Sequence, residues 1–266
     1  MTALTREQFE TRLFVFLKWI GVALFFLISF FPMLWMVVLS FRPLSEVLQR
    51  PAALPTIDQI MEARPYIGVW VEQNLGQFIG NSLKVSLTTV VITVTLGILG
   101  AYAATRLHFR GRGVFNIGIL LIYMFPAMIL AVPLFVVFTR LGLRNSLSGL
   151  VIVYLAQTLP VALYMLRSYF QTLPPELEEA ALIDGCNSFQ VFWYIIFPLA
   201  RPAVVTIAVL EFLGAWTSFL EPLIYLNSLD NYTVALGLSL FRSGGFGVTI
   251  QWGPLMAATK IGRAHV

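Results

Sequence analysis

Charge is scarce in this chain: 11% of its 266 residues are Asp, Glu, Lys or Arg, where a soluble domain carries about a quarter. That scarcity excludes an ordinary globular enzyme, and the aliphatic content excludes disorder. Cysteine and histidine are nearly missing, with one Cys and two His. A lone Cys186 excludes a disulfide framework. No Cys/His cluster has ligand spacing, so neither a metal nor a cofactor is expected. There is no G-x-x-x-x-G-K-[ST] segment, so the chain does not cradle ATP phosphates itself. A Gly-x-Ser-x-Gly elbow and a His-Glu-x-x-His helix are also absent. The net charge of +4, seventeen Lys/Arg against thirteen Asp/Glu, reads as loop charge on a membrane chain, with no nucleic-acid partner.

What is abundant is apolar: 58% hydrophobic residues and 14% aromatic, gathered in long runs. Residues 19–41, 85–105, 113–139 and 145–166 contain no charge, and a fifth run, 202–226, is interrupted only by Glu211 and Glu221. Each reaches the roughly 20 residues a helix needs to cross the hydrocarbon. Spanning backbone must satisfy its hydrogen bonds internally, and no alternating ten-residue pattern repeats, so the fold class is all-α: a polytopic transmembrane helical bundle and not a β-barrel. The first run is too long for a signal peptide and lacks a small-residue cleavage site, so it reads as an uncleaved anchor. Pro32, Pro126, Pro133 and Pro160 fall inside runs, either as tolerated kinks or as joints between two packings. Gly97 with Ala101, and Gly100 with Ala104, let the second span approach a neighbour closely.

Orientation follows the loop cations. With the N-terminus inside, Arg6, Arg12, Lys18, Arg106, Arg110, Arg112, Arg167 and Arg201 are cytoplasmic, and Arg42, Arg50, Arg64, Lys84, Arg140, Arg144 and Arg242 are outside. The counts nearly balance. The dense cluster at 106–112 lies in a short loop and favours a cytoplasmic N-terminus.

The informative hydrophilic stretch is 167–201. Pro174 and Pro175 suit a first helical turn, and Glu176, Glu178 and Glu179 complement the positive end of its dipole. Leu177, Ala180 and Ala181 form a narrow stripe, Gly185 supplies a left-handed cap, and Asn187 or Ser188 caps a second short helix that Pro198 ends. The first helix is amphipathic and acidic, which disfavours a resting place on the bilayer. Two alanines on its contact face would admit another protein close to the backbone.

Glu179-Ala180-Ala181, Gly185, Ile195 and Phe197-Pro198 resemble the EAA loop of permease subunits of binding-protein-dependent ABC importers. The departure is Phe197, where leucine is usual. Residues 78–87, 101–112, 123–135, 173–185 and 212–220 are similar to the carbohydrate-importer branch that includes the shorter maltose permease subunit. The resemblance covers about 78–226 and implies a type I importer permease working as an inner-membrane, multi-pass subunit. Its implied partners are a second permease, in a heterodimer, two ATP-binding cassette ATPases and an extracytoplasmic solute-binding protein. The implied cargo is a sugar or oligosaccharide, and ATP hydrolysis falls to the separate ATPases. The helix at about 175–184 would be the coupling helix, with Glu179, Ala180, Ala181, Asp184, Gly185, Ile195 and Pro198 as coupling positions.

The family's W-N-[ED]-F is here Trp216-Thr217-Ser218-Phe219, with an acid displaced to Glu221. Glu211 near mid-membrane either bonds sugar hydroxyls or a partner helix on the substrate path, with Trp216 and Ser218, or is protonated or paired within the bundle. A secondary transporter or channel using Glu211 as a proton or ion site is the alternative reading, and a membrane enzyme the third. The organisation expected is an N-terminal segment, first span and outer loop (1–77), a core (78–226), an outer loop with the start of a last span (227–259), and 260–266. The string IGRAHV reads as a translated sequencing adapter, so a sixth span is expected to be lost. The outer loops 42–77 and 227–251 would meet the binding protein by resemblance. Alternatively, the glycines 244, 245 and 247 serve only turns.

Overall fold

A computed structural model describes residues 6–62, 66, 67, 70, 74–124 and 127–243. The expectations for the 244–247 glycines, Arg64, the start of a last span and the IGRAHV tail lie outside the described residues. Those residues are helical, with no strand among them. The chain divides into two compact units, 76–237 and the remainder.

In the unit holding the N-terminal region, α1 (Arg6–Ser40) is followed by α2 (Leu44–Gln49) and α3 (Ile57–Glu62). Helix α1 is long and apolar enough to span. Beyond it, Arg42 organises the loop: its guanidinium donates to the carbonyls of Ala53 (2.9 Å) and Glu46 (3.1 Å), while Ser40 Oγ and Tyr66 OH share a hydrogen bond.

The unit 76–237 is built on α4 (Leu75–Arg106), α7 (Leu147–Phe170) and α10 (Phe197–Thr217). The close approach expected of Gly97 and Ala101 occurs: a Cβ on Gly97 would meet Leu166 Cδ1 at 3.1 Å and Ala162 Cβ at 3.5 Å. Between α4 and α7 the described residues are helical over α5 (Arg112–Met124) and α6 (Ala127–Arg140). Residues 125 and 126 of the single run expected over 113–139 lie outside the described residues. At 1.5 Å per residue the two pieces together still cover roughly 40 Å.

The fifth run also differs. Its helix does not begin at Pro202 but continues from α9 (Ser188–Val191) through a five-residue π turn, Phe192–Ile196, into α10, and it ends at Thr217 rather than Leu226. Ser218 is extended and breaks it, and α11 (Leu220–Tyr225) follows. Pro198 therefore does not stop a helix. In the π turn Phe197 N–H donates to Phe192 O, five residues back, and Pro198 follows directly as the second residue of α10. Pro202 removes only the bond to the Pro198 carbonyl. Helix α8 (Glu176–Ile183) lies between α7 and α9, and α12 (Val234–Ser243) closes the described chain.

Apolar clusters fill this unit, one at each end and a third around Phe138, Val153 and Tyr225. Toward the end bearing α8, Ile98, Ala101, Ala162, Leu166, Phe170, Ala181, Val191, Phe192, Ile196 and Ile207 pack together. At the other end Val85, Leu150, Tyr154, Ala215, Leu226 and Leu236 do so.

Candidate functional site

Helix α8 has the limits its sequence predicts. Pro175 caps it and Glu176, Glu178 and Glu179 occupy its first turn. Gly185 (φ +89°) ends it. Its N–H donates to Leu182 O at 3.1 Å and that of Cys186 to Ala181 O at 3.0 Å, the paired bonds of a Schellman cap. Asn187 then caps α9 in a reciprocal box with Gln190. The loop is locally determined, cap by cap.

Its stripe is not as expected. Ala181 is 4% exposed and belongs to the inner cluster beside Phe170 and Val191, so it faces its own bundle. Ala180, Glu179, Asp184 and Gly185 are exposed, Ile195 packs partly against the inner cluster, and Pro198 is half-buried. Beside Ala180 stand apolar side chains that sequence reasoning missed: Ile183 is 86% exposed and Phe189 73%, with Leu177 and Leu182 also exposed. Unpartnered aliphatic and aromatic groups next to a small residue make a surface suited to another protein.

What holds α8 is Arg106, the last residue of α4. Its guanidinium donates to the carbonyls of Phe170 (3.1 Å) and Leu173 (2.8 Å) at the end of α7, and pairs with Glu178 at 2.5 Å. Arg112 closes the end of α4 itself, donating to Ala104 O (2.7 Å) and Thr105 O (2.5 Å). Two arginines of the 106–112 cation cluster thus also cap carbonyls. On the far side of α7, Tyr169 OH donates to Leu199 O of α10 at 2.9 Å.

Glu211 is 7% exposed, in the middle of α10. The hydroxyl of Thr158 on α7 is its hydrogen-bonding neighbour, and Thr158 Oγ1 meets Thr93 Oγ1 of α4 at 3.1 Å. Of the other substrate-path residues, Trp216 stacks on Phe212 at 5.6 Å, and Ser218 Oγ donates to the Glu221 carboxylate one turn on. At the opposite end from α8, residues 225–234 form a strap. Asn145, itself left-handed at φ +56°, accepts on Oδ1 from Asn227 N, Ser228 N and Ser228 Oγ at 3.0–3.1 Å. Asn81 donates to Asp230 O (2.7 Å) and Tyr232 O (3.1 Å), and Ser82 Oγ accepts from Val234 N (2.8 Å).

Helices of spanning length around a buried polar core, with an exposed short helix pinned to one end of the bundle, define a multi-pass membrane protein. The comparison with known families agrees. Residues 94–258 match the binding-protein-dependent transport system inner membrane component, and the chain belongs to that family. It is similar to the inner membrane ABC transporter permease protein YcjP of Escherichia coli (39% identity, 91% of this chain and 85% of that one). It also resembles the trehalose/maltose transport system permease protein MalG of Thermococcus litoralis (34%, 96% and 90%) and the diacetylchitobiose uptake system permease protein NgcG of Streptomyces coelicolor (33%, 86% and 75%). The fold is that of a crystal structure of a bacterial ABC transporter involved in import of the acidic polysaccharide alginate, with TM-score 0.75 and 23% identity over 97% of this chain and 92% of that one. The chain is therefore an inner-membrane, multi-pass importer permease and not an enzyme, ATP hydrolysis belonging to a separate subunit. The secondary-transporter and membrane-enzyme readings give way to that membership.

Proposed function

We propose that this permease carries a sugar or oligosaccharide delivered by an extracytoplasmic binding protein, as one half of a heterodimeric permease pair in a bacterial inner membrane. Two ATPase subunits would drive it from the cytoplasm through α8, and the N-terminus lies on that same side. Relatives named for trehalose/maltose and diacetylchitobiose support the cargo class. The observation that carries the coupling role is the exposed row Glu179, Ala180, Ile183 and Gly185 on a helix clamped from behind by Arg106. A helix held this way transmits a push on its outer face to the ends of α4 and α7 instead of yielding. Asp184, Ile195 and Pro198 set the turn and the π segment that lead this push into α10. Trp216 and Ser218 stand at the far end of α10 and are proposed to border the sugar path there.

The test is reconstitution with the partner subunits in proteoliposomes, measuring uptake of labelled oligosaccharide against ATP hydrolysed. Gly185→Asp places a side chain at a left-handed position and a charge at the docking surface. It is expected to cut uptake while ATP hydrolysis continues. Normal uptake per ATP in that variant would overturn the coupling assignment.

A further inference from the structure

We infer that Glu211, Thr158, Thr93 and Thr89 form a hydrated polar layer inside a single permease subunit, in which a protonated Glu211 and a few fixed water molecules satisfy one another.

The layering carries the argument. On α10, Glu211 lies one turn from Ile207 of the inner cluster and one turn from Ala215 of the outer cluster. Thr158 on α7 lies likewise between Ala162 and Tyr154. Thr89 and Thr93 on α4 sit between Val85 and Ile98. Three helices thus place their polar side chains at one depth, with apolar packing above and below. Thr89 and Thr93 are fully buried, as is Ser86 one turn further out.

Within that layer the bonding is incomplete. Glu211 Oε2 and Thr89 Oγ1 are buried without a partner, and so are Ser86 Oγ and Tyr154 OH toward its outer edge. Buried polar atoms are rarely left so, and a cluster of them on facing helices is the setting in which internal waters reside. The charge state follows from the surroundings. Among the described residues of this unit, Glu211 is the only buried charged side chain. Of the other ionisable groups on the elements around it, Lys84 on α4 is exposed. Tyr102 on α4, and Tyr164 and Arg167 on α7, lie toward the inner end. Tyr154 on α7, and Glu221 and Tyr225 on α11, lie toward the outer end. Among the described residues no cation is paired with the carboxyl, and an uncompensated buried carboxylate takes up a proton instead.

A metal cation fits less well than water. One carboxyl and the hydroxyls fall short of the six or more oxygens a hard cation takes. The one carbonyl that Pro160 frees, that of Ala156, is on an exposed residue.

The test is infrared spectroscopy of the full chain assembled with its partner subunits in lipid nanodiscs, with and without carbon-13 glutamate. A protonated-carboxyl stretch that shifts with the label, persists from pH 6 to roughly pH 9 and vanishes in Glu211→Gln is expected. Uptake by Glu211→Gln should stay within about twofold of the parent and respond to neither a sodium nor a proton gradient. A spectrum lacking the labelled band, or a band abolished by sodium, would overturn the inference. If Glu211→Gln does not assemble, the pH titration of the labelled parent decides alone. A cryo-EM map at water-resolving resolution gives an independent reading: density bridging Glu211 Oε2 and the threonines is expected, and an empty layer or a cation with a full oxygen shell refutes it.

Discussion

Replacing Arg106 by methionine tests whether the coupling helix is held from behind. The guanidinium makes two charge-assisted bonds to carbonyls, at 3.1 and 2.8 Å, and one ion pair with Glu178. A hydrogen bond to a charged group contributes about 1.5–3 kcal/mol. The side chain is 16% exposed, so water recovers part of this on release. A net loss of about 3 kcal/mol for docking α8 is expected, which raises the released population roughly a hundredfold. Glu178→Gln leaves both carbonyl bonds in place and should cost about 1 kcal/mol, or roughly fivefold. Because both effects pass through one contact, the double variant should be no worse than Arg106→Met alone.

The assay is amide hydrogen exchange of the segment 176–186 in the assembled importer, read beside uptake per ATP. Faster exchange there, with α4 and α7 unchanged away from their ends, is the expected pattern for Arg106→Met, together with a fall in uptake per ATP. Unchanged exchange would show that α8 is held by its apolar contacts through Ala181 instead. Full additivity of the two substitutions would refute the pairing itself.

Two glycines on α4 and α7 should respond oppositely to alanine. At Gly149 a Cβ would fall 2.2 Å from the backbone carbonyl of Leu143, which cannot move aside, so a loss of about 2–3 kcal/mol and a lower apparent Tm in detergent are expected. At Gly100 it would meet only the tip of Leu163 at 2.6 Å, and the gain in helix propensity, about 0.5–1 kcal/mol, offsets the crowding. Asn145→Ala removes the acceptor for three hydrogen bonds to the strap, worth roughly 2–3 kcal/mol together. Asn145→Asp keeps the acceptor and should unfold near the parent temperature, whereas equal losses in both would place the effect in the left-handed backbone.

Where local chemistry decides, the sequence could be read directly. Pro175, Gly185 and Asn187 bound α8 and start α9, because the fixed φ of a proline, the left-handed glycine and the Asn187–Gln190 box each act within a few positions. Ala181 could not be placed, since a helix of eight residues leaves open which side meets the bundle, and that side is chosen by Phe170, Val191 and Phe192 from other elements. Pro198 misled for a related reason: its lost donor matters only if the preceding turn is α, and the π turn removes the conflict. Thr89 and Thr93 passed as neutral members of a hydropathic run, although Ser86, Thr89 and Thr93 repeat at helical spacing on one buried face. Arg106 was counted for its charge alone, and its partners are carbonyls that a sequence does not display.

The prolines divide the helices in a way that follows from these contacts. Helices α6, α7 and α10 each carry an internal proline, at positions 133, 160 and 202, whereas α4 runs 32 residues without one, roughly 48 Å at 1.5 Å per residue. That length exceeds the roughly 30 Å of hydrocarbon, so both ends of α4 reach past it. One end holds the strap through Asn81 and Ser82, and the other holds α8 through Arg106. Thr93 between them contributes to the buried polar layer. A straight element fixed at three depths transmits displacement between its ends, while a proline leaves a missing bond at which a helix can bend. The permease therefore pairs one unbroken spine with helices able to flex beside it, and the expected effect of stiffening a bend differs from that of breaking the spine. Ala in place of Pro160 restores a bond and should slow switching without harming assembly. A proline introduced near Val94 should separate the strap from α8 and abolish coupled uptake.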